Sequence, residues 1–237
     1  LAFAGEAILL LAAWRWSNTD LARTAVLTLA VIVFQAILGM WTVTWLLKPI
    51  VVMAHLLGGM ALFSCLLWLA WKSLHVPITL VQAGTIQRWL AVGVALLITQ
   101  IALGGWVSAN YAALACGGSS MSLDNFPRCV GQWWPRHDFR EGFVLDGASR
   151  IAIQMAHRIV AVLLAVYLWV LSWRLIGVPG LRGWGSALAV LVAVQVCLGI
   201  ANVKLAVPLA VAVGHVAGAV ALLFVLVSLL ARLRGVD

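Results

Sequence analysis

From Pro208 to Ala231 the chain reads PLAVAVGHVAGAVALLFVLVSLLA, with His215 as the one ionisable side chain in the stretch. About 20 such residues are what a helix needs to cross the hydrocarbon of a bilayer. In that medium only a helix or a closed barrel satisfies its own backbone N–H and C=O groups. Each run of this kind therefore restricts the chain to a spanning helix, and seven spans are expected, at about 1–16, 24–46, 50–72, 87–109, 149–176, 182–203 and 208–234. The first is short and begins at residue 1 with no cytoplasmic leader, no signal-peptide cleavage pattern and no initiating Met, so the chain is expected to start inside a helix. With 65% hydrophobic and 9% charged residues and a mean hydropathy of +1.10, the fold class is all-α, a polytopic membrane helix bundle with lipid as its solvent.

The formal charge is +8, yet a nucleic-acid surface would be polar and would carry its cations on one face. Here the cations punctuate the ends of apolar helices, which argues against nucleic acid as a partner. Alternating the connections between two sides puts Arg15, Arg23, Lys72, Arg88, Arg174, Arg182, Arg232 and Arg234 on one side, in short loops and the tail. Lys48, Arg128, Arg136, Arg140, Arg150, Arg158 and Lys204 fall on the other, among Asp124, Asp138, Glu141 and Asp146. Short, densely basic loops mark the cytoplasmic side, which puts the 110–148 loop on the periplasmic side or its equivalent. Cys116 and Cys129 lie in that loop, where an oxidising compartment permits a bridge; two free thiols are the alternative. A bridge would close about 14 residues and contribute roughly 3 kcal/mol. Cys65 and Cys197 sit within apolar helices and read as small buried hydrophobes.

An internal repeat divides the chain. In FQAILGMWTVTWLLKPIVVMAHLLGGMALF (34–63) and VQVCLGIANVKLAVPLAVAVGHVAGAVALLF (194–224), Gln35, Leu38, Gly39 and His55 match Gln195, Leu198, Gly199 and His215 at an offset of 160, and Pro49 and Pro208 open the second helix of each pair. A further Gln-x-x-Leu-Gly spans Gln100 to Gly104. The same offset places the counterpart of His157 three residues before position 1. The expectation is two pseudo-repeated four-helix halves seen without the first helix, its outer loop and the start of the second: 1–72 as an incomplete first half, 73–86 as a cytoplasmic connection and 87–237 as a complete second half.

Five histidines divide into two kinds. His75 in a connection and His137 in the outer loop read as solvated side chains. His55, His157 and His215 each lie six to eight residues into an apolar helix from the outer side, about 9–12 Å down at 1.5 Å per residue. An imidazole in hydrocarbon needs a partner, and interhelical packing glue accounts for one such residue more readily than for three at one depth. Haem takes imidazoles axially from facing helices of a bundle. A closed zinc site wants four ligands, and no acid or thiolate shares that depth. Three and four residues on, Gly58 and Gly59 follow His55, while Gly218 and Ala219 follow His215; small residues there would let a porphyrin approach the backbone, although they also pack membrane helices. Arg158 and Arg150 lie toward the headgroup level, where haem propionates need cations and where arginines also snorkel. Glu6 is an acid within a span, suited to a proton path or to an outer cavity.

Together, VSANYAALACGG, NFPRCVGQWWP, DGASRIAIQMAHRIVAVLLAVYLWVL, LKPIVVMAHLLGG and VPLAVAVGHVAGAVALL resemble the haem A synthase family, over essentially the whole chain. The resemblance implies an enzyme, a haem-modifying oxidoreductase that converts haem O to haem A during assembly of haem-copper oxidases, oxidising a porphyrin methyl to a formyl with dioxygen by way of an alcohol. It implies that His157 and His215 are the axial ligands of a haem b, that His55 is one of the pair around the substrate haem O, and that Cys116 and Cys129 are the family's outer-loop cysteine pair. It also implies a bacterial inner membrane location, with haem O synthase, oxidase assembly factors and a homo-oligomeric copy as further partners to consider.

Two departures stand out. The family's first-half Glu-x-x-His-Arg has no copy here, and its second-half counterpart reads Gln154-Met155-Ala156-His157-Arg158, with glutamine in the place of the acid. These residues by themselves are not expected to turn over substrate. The twelve residues between Cys116 and Cys129 exceed the usual spacing, at little entropic cost. Two other classes remain: a b-type electron-transfer subunit without haem-modifying chemistry, and a colourless structural or transporter-like bundle in which the histidines only join helices.

Overall fold

The computed structural model describes residues 19–117, 127–133 and 147–235. Among them are six helices, α1 (Thr19–Thr44), α2 (Pro49–Leu74), α3 (Ala83–Ala109), α4 (Gly147–Ile176), α5 (Arg182–Lys204) and α6 (Leu209–Arg232), and two short strands, β1 (Ile78–Thr79) and β2 (Leu233–Arg234). Every helix contains a stretch of 23 to 28 residues long and apolar enough to cross a membrane. Six of the seven expected spans are therefore helices, with ends shifted by a few residues. The seventh, 1–16 with Glu6 and Arg15, lies outside the described residues, as do His137 and most of the 110–148 loop.

Helices α1, α3 and α5 end alike. Leu47 N–H donates to Thr42 O at 2.9 Å, Ala112 N–H to Val107 O at 2.9 Å, and Val207 N–H to Asn202 O at 2.7 Å, each reaching five residues back to use a carbonyl the helix leaves over. The closing residues are left-handed without being glycine: Leu46, Leu47, Tyr111, Ala206 and Val207 all have φ between 50° and 61°. Each such residue costs about 1–2 kcal/mol, so the turns persist only because the surrounding structure holds them. Pro49 opens α2 at its first turn, where its missing N–H is harmless. Pro208 stands just before α6 and accepts from Ala212 N–H at 3.0 Å.

The chain forms two compact units, one running up to Ala91 and resuming at Leu226, the other Val92–Val225. In the first, α1 packs along α2, and Leu38, Val51, Leu69, Leu90, Leu226 and Leu229 are buried. A polar knot closes one end. Trp71 Nε1 donates to the fully buried Ser228 Oγ at 2.8 Å, and Arg232 lies over the Trp71 ring at 4.6 Å while its Nε donates to Val76 O at 3.0 Å. Beside it β1 and β2 pair in parallel, Ile78 with Leu233 and Thr79 with Arg234, and Gln87 Nε2 donates to Leu233 O at 3.2 Å. Pairing of 78–79 was not expected of the 73–86 connection, because two residues are too few to show an alternating pattern.

In the second unit α4 packs against α5. Leu164, Leu168, Leu171 and Leu175 recur every three or four residues and are buried, whereas Val162, Leu163, Val166, Trp169 and Trp173 are exposed on the same helix. A helix apolar on every side makes sense only where its outward face meets hydrocarbon. Contact is closest at Gly185: a Cβ there would stand 2.8 Å from Ile176 N and 2.8 Å from Ser172 O, and Ser172 Oγ donates to Gly185 O at 2.8 Å. Because the obstructing atoms are backbone, Gly185→Ala is expected to destabilise the protein by about 1–3 kcal/mol. Gly183→Ala, which adds a Cβ to open space, is expected to leave it unchanged or slightly stabilised. Thermal unfolding of the two variants in detergent, beside the parent chain, measures both.

Candidate functional site

Each of the three in-span histidines meets the helix before its own at a glycine. A Cβ on Gly39 of α1 would stand 3.4 Å from His55 Cε1; on Gly104 of α3, 3.1 Å from His157 Cε1; on Gly199 of α5, 3.1 Å from His215 Cε1. Each imidazole thus occupies the space an ordinary side chain of the neighbouring helix would fill. Four residues before each glycine, and so on the same helix face, stands a glutamine: Gln35, Gln100 and Gln195. Gln195 Nε2 donates to the His215 carbonyl at 2.9 Å, and its amide presses against Gly218. The Gln35 amide presses against Gly58. Gln100 Nε2 donates to the His157 carbonyl at 3.2 Å and lies 3.0 Å from His157 Nδ1.

These contacts change the reading of two glycines. Gly58 and Gly218 hold glutamine amides in the space that a macrocycle was expected to take, whereas a Cβ on Gly59 would meet nothing within 4 Å. Beside His215, Ala212, Val213, Val216 and Ala217 line an open apolar groove. Sequence reading treats the glutamines as markers of the repeat and misses their task; the recurring four-residue step to glycine is the signal that pointed to it.

His157 and His215 belong to one unit. His55 belongs to the other unit. Among the described residues, Nδ1 of His55 and of His215 is buried without a hydrogen-bond partner. His75 is different: it caps α2 in a left-handed conformation, with Nδ1 2.8 Å from Ser73 O at an exposed position.

The polar end of α4 is built around the outer loop. Cys116 and Cys129 form a disulfide, which settles the alternative of free thiols. The bridge is buried against Met155, with Ile151 packed beside it, one turn from His157. Val130 N–H donates to Cys116 O at 3.3 Å, and Arg158 Nη1 donates to Arg128 O at 3.1 Å. Arg150 is half-buried, with Nε enclosed and lacking a partner among the described residues. Gln154, on the same face, is buried with Oε1 likewise unpartnered. Cys65 is half-buried, but Cys197, expected in the interior, is exposed; an apolar thiol is no less at home facing lipid.

The sequence profile of the cytochrome oxidase assembly protein family COX15-CtaA matches residues 2–227. The heme A synthase of Shewanella oneidensis is 41% identical over 215 residues, which cover 84% of this chain and 62% of that protein. Its counterpart in Granulibacter bethesdensis is 31% identical over 85% of this chain and 52% of its own length, and that of Caulobacter vibrioides is 28% identical over 93% and 73%. The chain thus spans between about half and three-quarters of the length of these relatives.

Of the four cysteines, two are bridged. Alkylation of denatured, unreduced protein is expected to label Cys65 and Cys197 only, and prior reduction to bring all four into reach, as read by intact mass. Cys129→Ser is expected to lower stability by roughly 3 kcal/mol on the loop-closure model, measured by thermal unfolding.

Proposed function

Because the chain belongs to the COX15-CtaA family of cytochrome oxidase assembly proteins, we propose that it acts as a haem A synthase, an integral membrane oxidoreductase that oxidises a methyl group of haem O to the formyl of haem A with dioxygen. The observation that carries this reading is the trio of imidazoles, each seated on a neighbouring helix's glycine, with buried Nδ1 atoms of His55 and His215 that have no partner among the described residues. A buried imidazole without a partner is costly, and iron removes that cost. His157 and His215, in one unit, would hold a haem b between them. His55 would belong to the substrate-haem pair. The donor set suits haem iron, which is content with two imidazoles.

When bound, haem b supplies one-electron exchange. The protein's own residues do the rest. His55 fixes the substrate porphyrin so that one methyl, and not its neighbours, meets the oxidant; such positioning is a large share of any enzymatic advantage. Gln195 ties the His215 carbonyl to α5, which keeps that turn from sliding along its neighbour. Arg158, oriented by the Arg128 carbonyl, and Arg150 would meet haem propionates. The disulfide holds the loop against α4 beside them and helps to keep water from the site. The sidedness that fits puts the chain in the bacterial cytoplasmic membrane with the 110–148 loop periplasmic. The division into a substrate half, 1–72, and a haem b half, 87–237, is in keeping with His55 falling in one compact unit and His157 and His215 in the other.

In haem-loaded protein, His157→Ala or His215→Ala is expected to abolish or greatly change the Soret and alpha bands. In the full-length protein during turnover, His55→Ala is expected to keep those bands and to lose haem A from the extracted pigment, identified by mass spectrometry. Unaltered spectra in the first pair would overturn the ligand assignment. Undiminished haem A in His55→Ala would favour the b-type electron-transfer reading.

A further inference from the structure

The three glutamine–glycine–histidine contacts are not identical, and the difference falls on one ring. Three residues after His55 and His215 the chain has Gly58 and Gly218, and there the glutamine amide lies against the helix, clear of the imidazole. Three residues after His157 it has Val160. The place the amide takes on the other two helices carries a side chain here, and Gln100 reaches the ring, with Nε2 3.0 Å from Nδ1. His215 Nδ1 has no partner, because Gln195 is committed to the backbone carbonyl.

We propose, building on the bis-histidine haem reading above, that Gln100 is a positioning residue that sets how strongly His157 donates to iron, so that the two axial ligands are unequal by design of the fold. A neutral imidazole that ligates through Nε2 carries its proton on Nδ1 and must donate it. Gln100 Oε1 is buried without a partner among the described residues, and a half-turn of the amide would exchange it with Nε2, giving up the donation to the His157 carbonyl for a bond to the ring. The oxygen then accepts from Nδ1–H and lends the ring imidazolate character, which favours ferric iron. Gly104 lets the ring sit close against α3, where a Cβ would stand 3.1 Å from Cε1. His215 lacks such an acceptor and is the weaker donor and the ligand more readily displaced.

The test is the midpoint potential of the haem in the full, haem-loaded protein, read by redox titration of the alpha band. Gln100→Leu removes the acceptor and is expected to raise the potential; Gln100→Glu supplies a stronger acceptor and is expected to lower it. Each change should be about tenfold in the ferric-to-ferrous ratio at fixed potential, about 59 mV for one electron. Gly183→Ala, which adds a Cβ to open space, is expected to leave the potential in place. Should Gln100→Leu fail to accumulate, Gln100→Glu against the parent carries the comparison. Shifts of the same sign in both Gln100 variants, no shift in either, or an equal shift in Gly183→Ala would overturn the proposal. Failure of the bis-histidine reading is seen separately, as haem bands that survive His157→Ala and His215→Ala.

Discussion

An imidazole placed in hydrocarbon cannot be left to itself, and the arrangement of this molecule is a response to that. Water does not reach the ring, so the neighbouring helix must come close enough to receive it. Glycine at positions 39, 104 and 199 permits the approach. Such an approach exposes backbone polar groups of the histidine's own helix, and the glutamine one turn earlier meets them: in two of the three pairs its amide donates to the histidine carbonyl. Glycine and glutamine four residues apart thus form a single device, one residue giving way and the other filling in. The interactions are short-range and paired, which suits a medium where helices gain nothing from expelling water.

Around this device the two units use different means to fix their helices. Near the ends of α2 and α6, polarity is gathered into a knot of tryptophan, serine and arginine, joined by a strand pair two residues long. At the polar end of α4 a covalent bond does the work, packed on Met155. Both units leave large apolar faces outward, such as Val26, Leu27 and Phe34 on α1 and Val162, Val166 and Trp173 on α4.

Most legible in the sequence was whatever hydrocarbon imposes over long stretches. Runs of 20 or more apolar residues translate directly into helices, and the spans at 149–176 and 182–203 agree with the helices to within two residues. The place of His55, His157 and His215 within long apolar helices was legible too. The pairing of Cys116 with Cys129 was left open by composition and closed by geometry. Three features could not be read. Gln100 meets a residue 57 positions away, and no local pattern records such a partner. Gly58 and Gly218 looked like room for a ligand because a sequence shows that a side chain is small, without showing who takes the space. The strand pair of Ile78 and Leu233 is set by the way distant stretches of chain meet, and two residues have no periodicity to detect.

The left-handed closures after α1 and α5 carry one more implication. Leu46 and Leu47, like Ala206 and Val207, spend conformational energy to make the connection between paired helices as short as it is. A helix turns about 100° per residue, so one residue inserted between Leu47 and His55 would swing the imidazole a quarter of the way round its axis and away from Gly39. The length of these hairpins is thereby a component of how His55 meets Gly39 and how His215 meets Gly199, held as tightly as the histidines themselves.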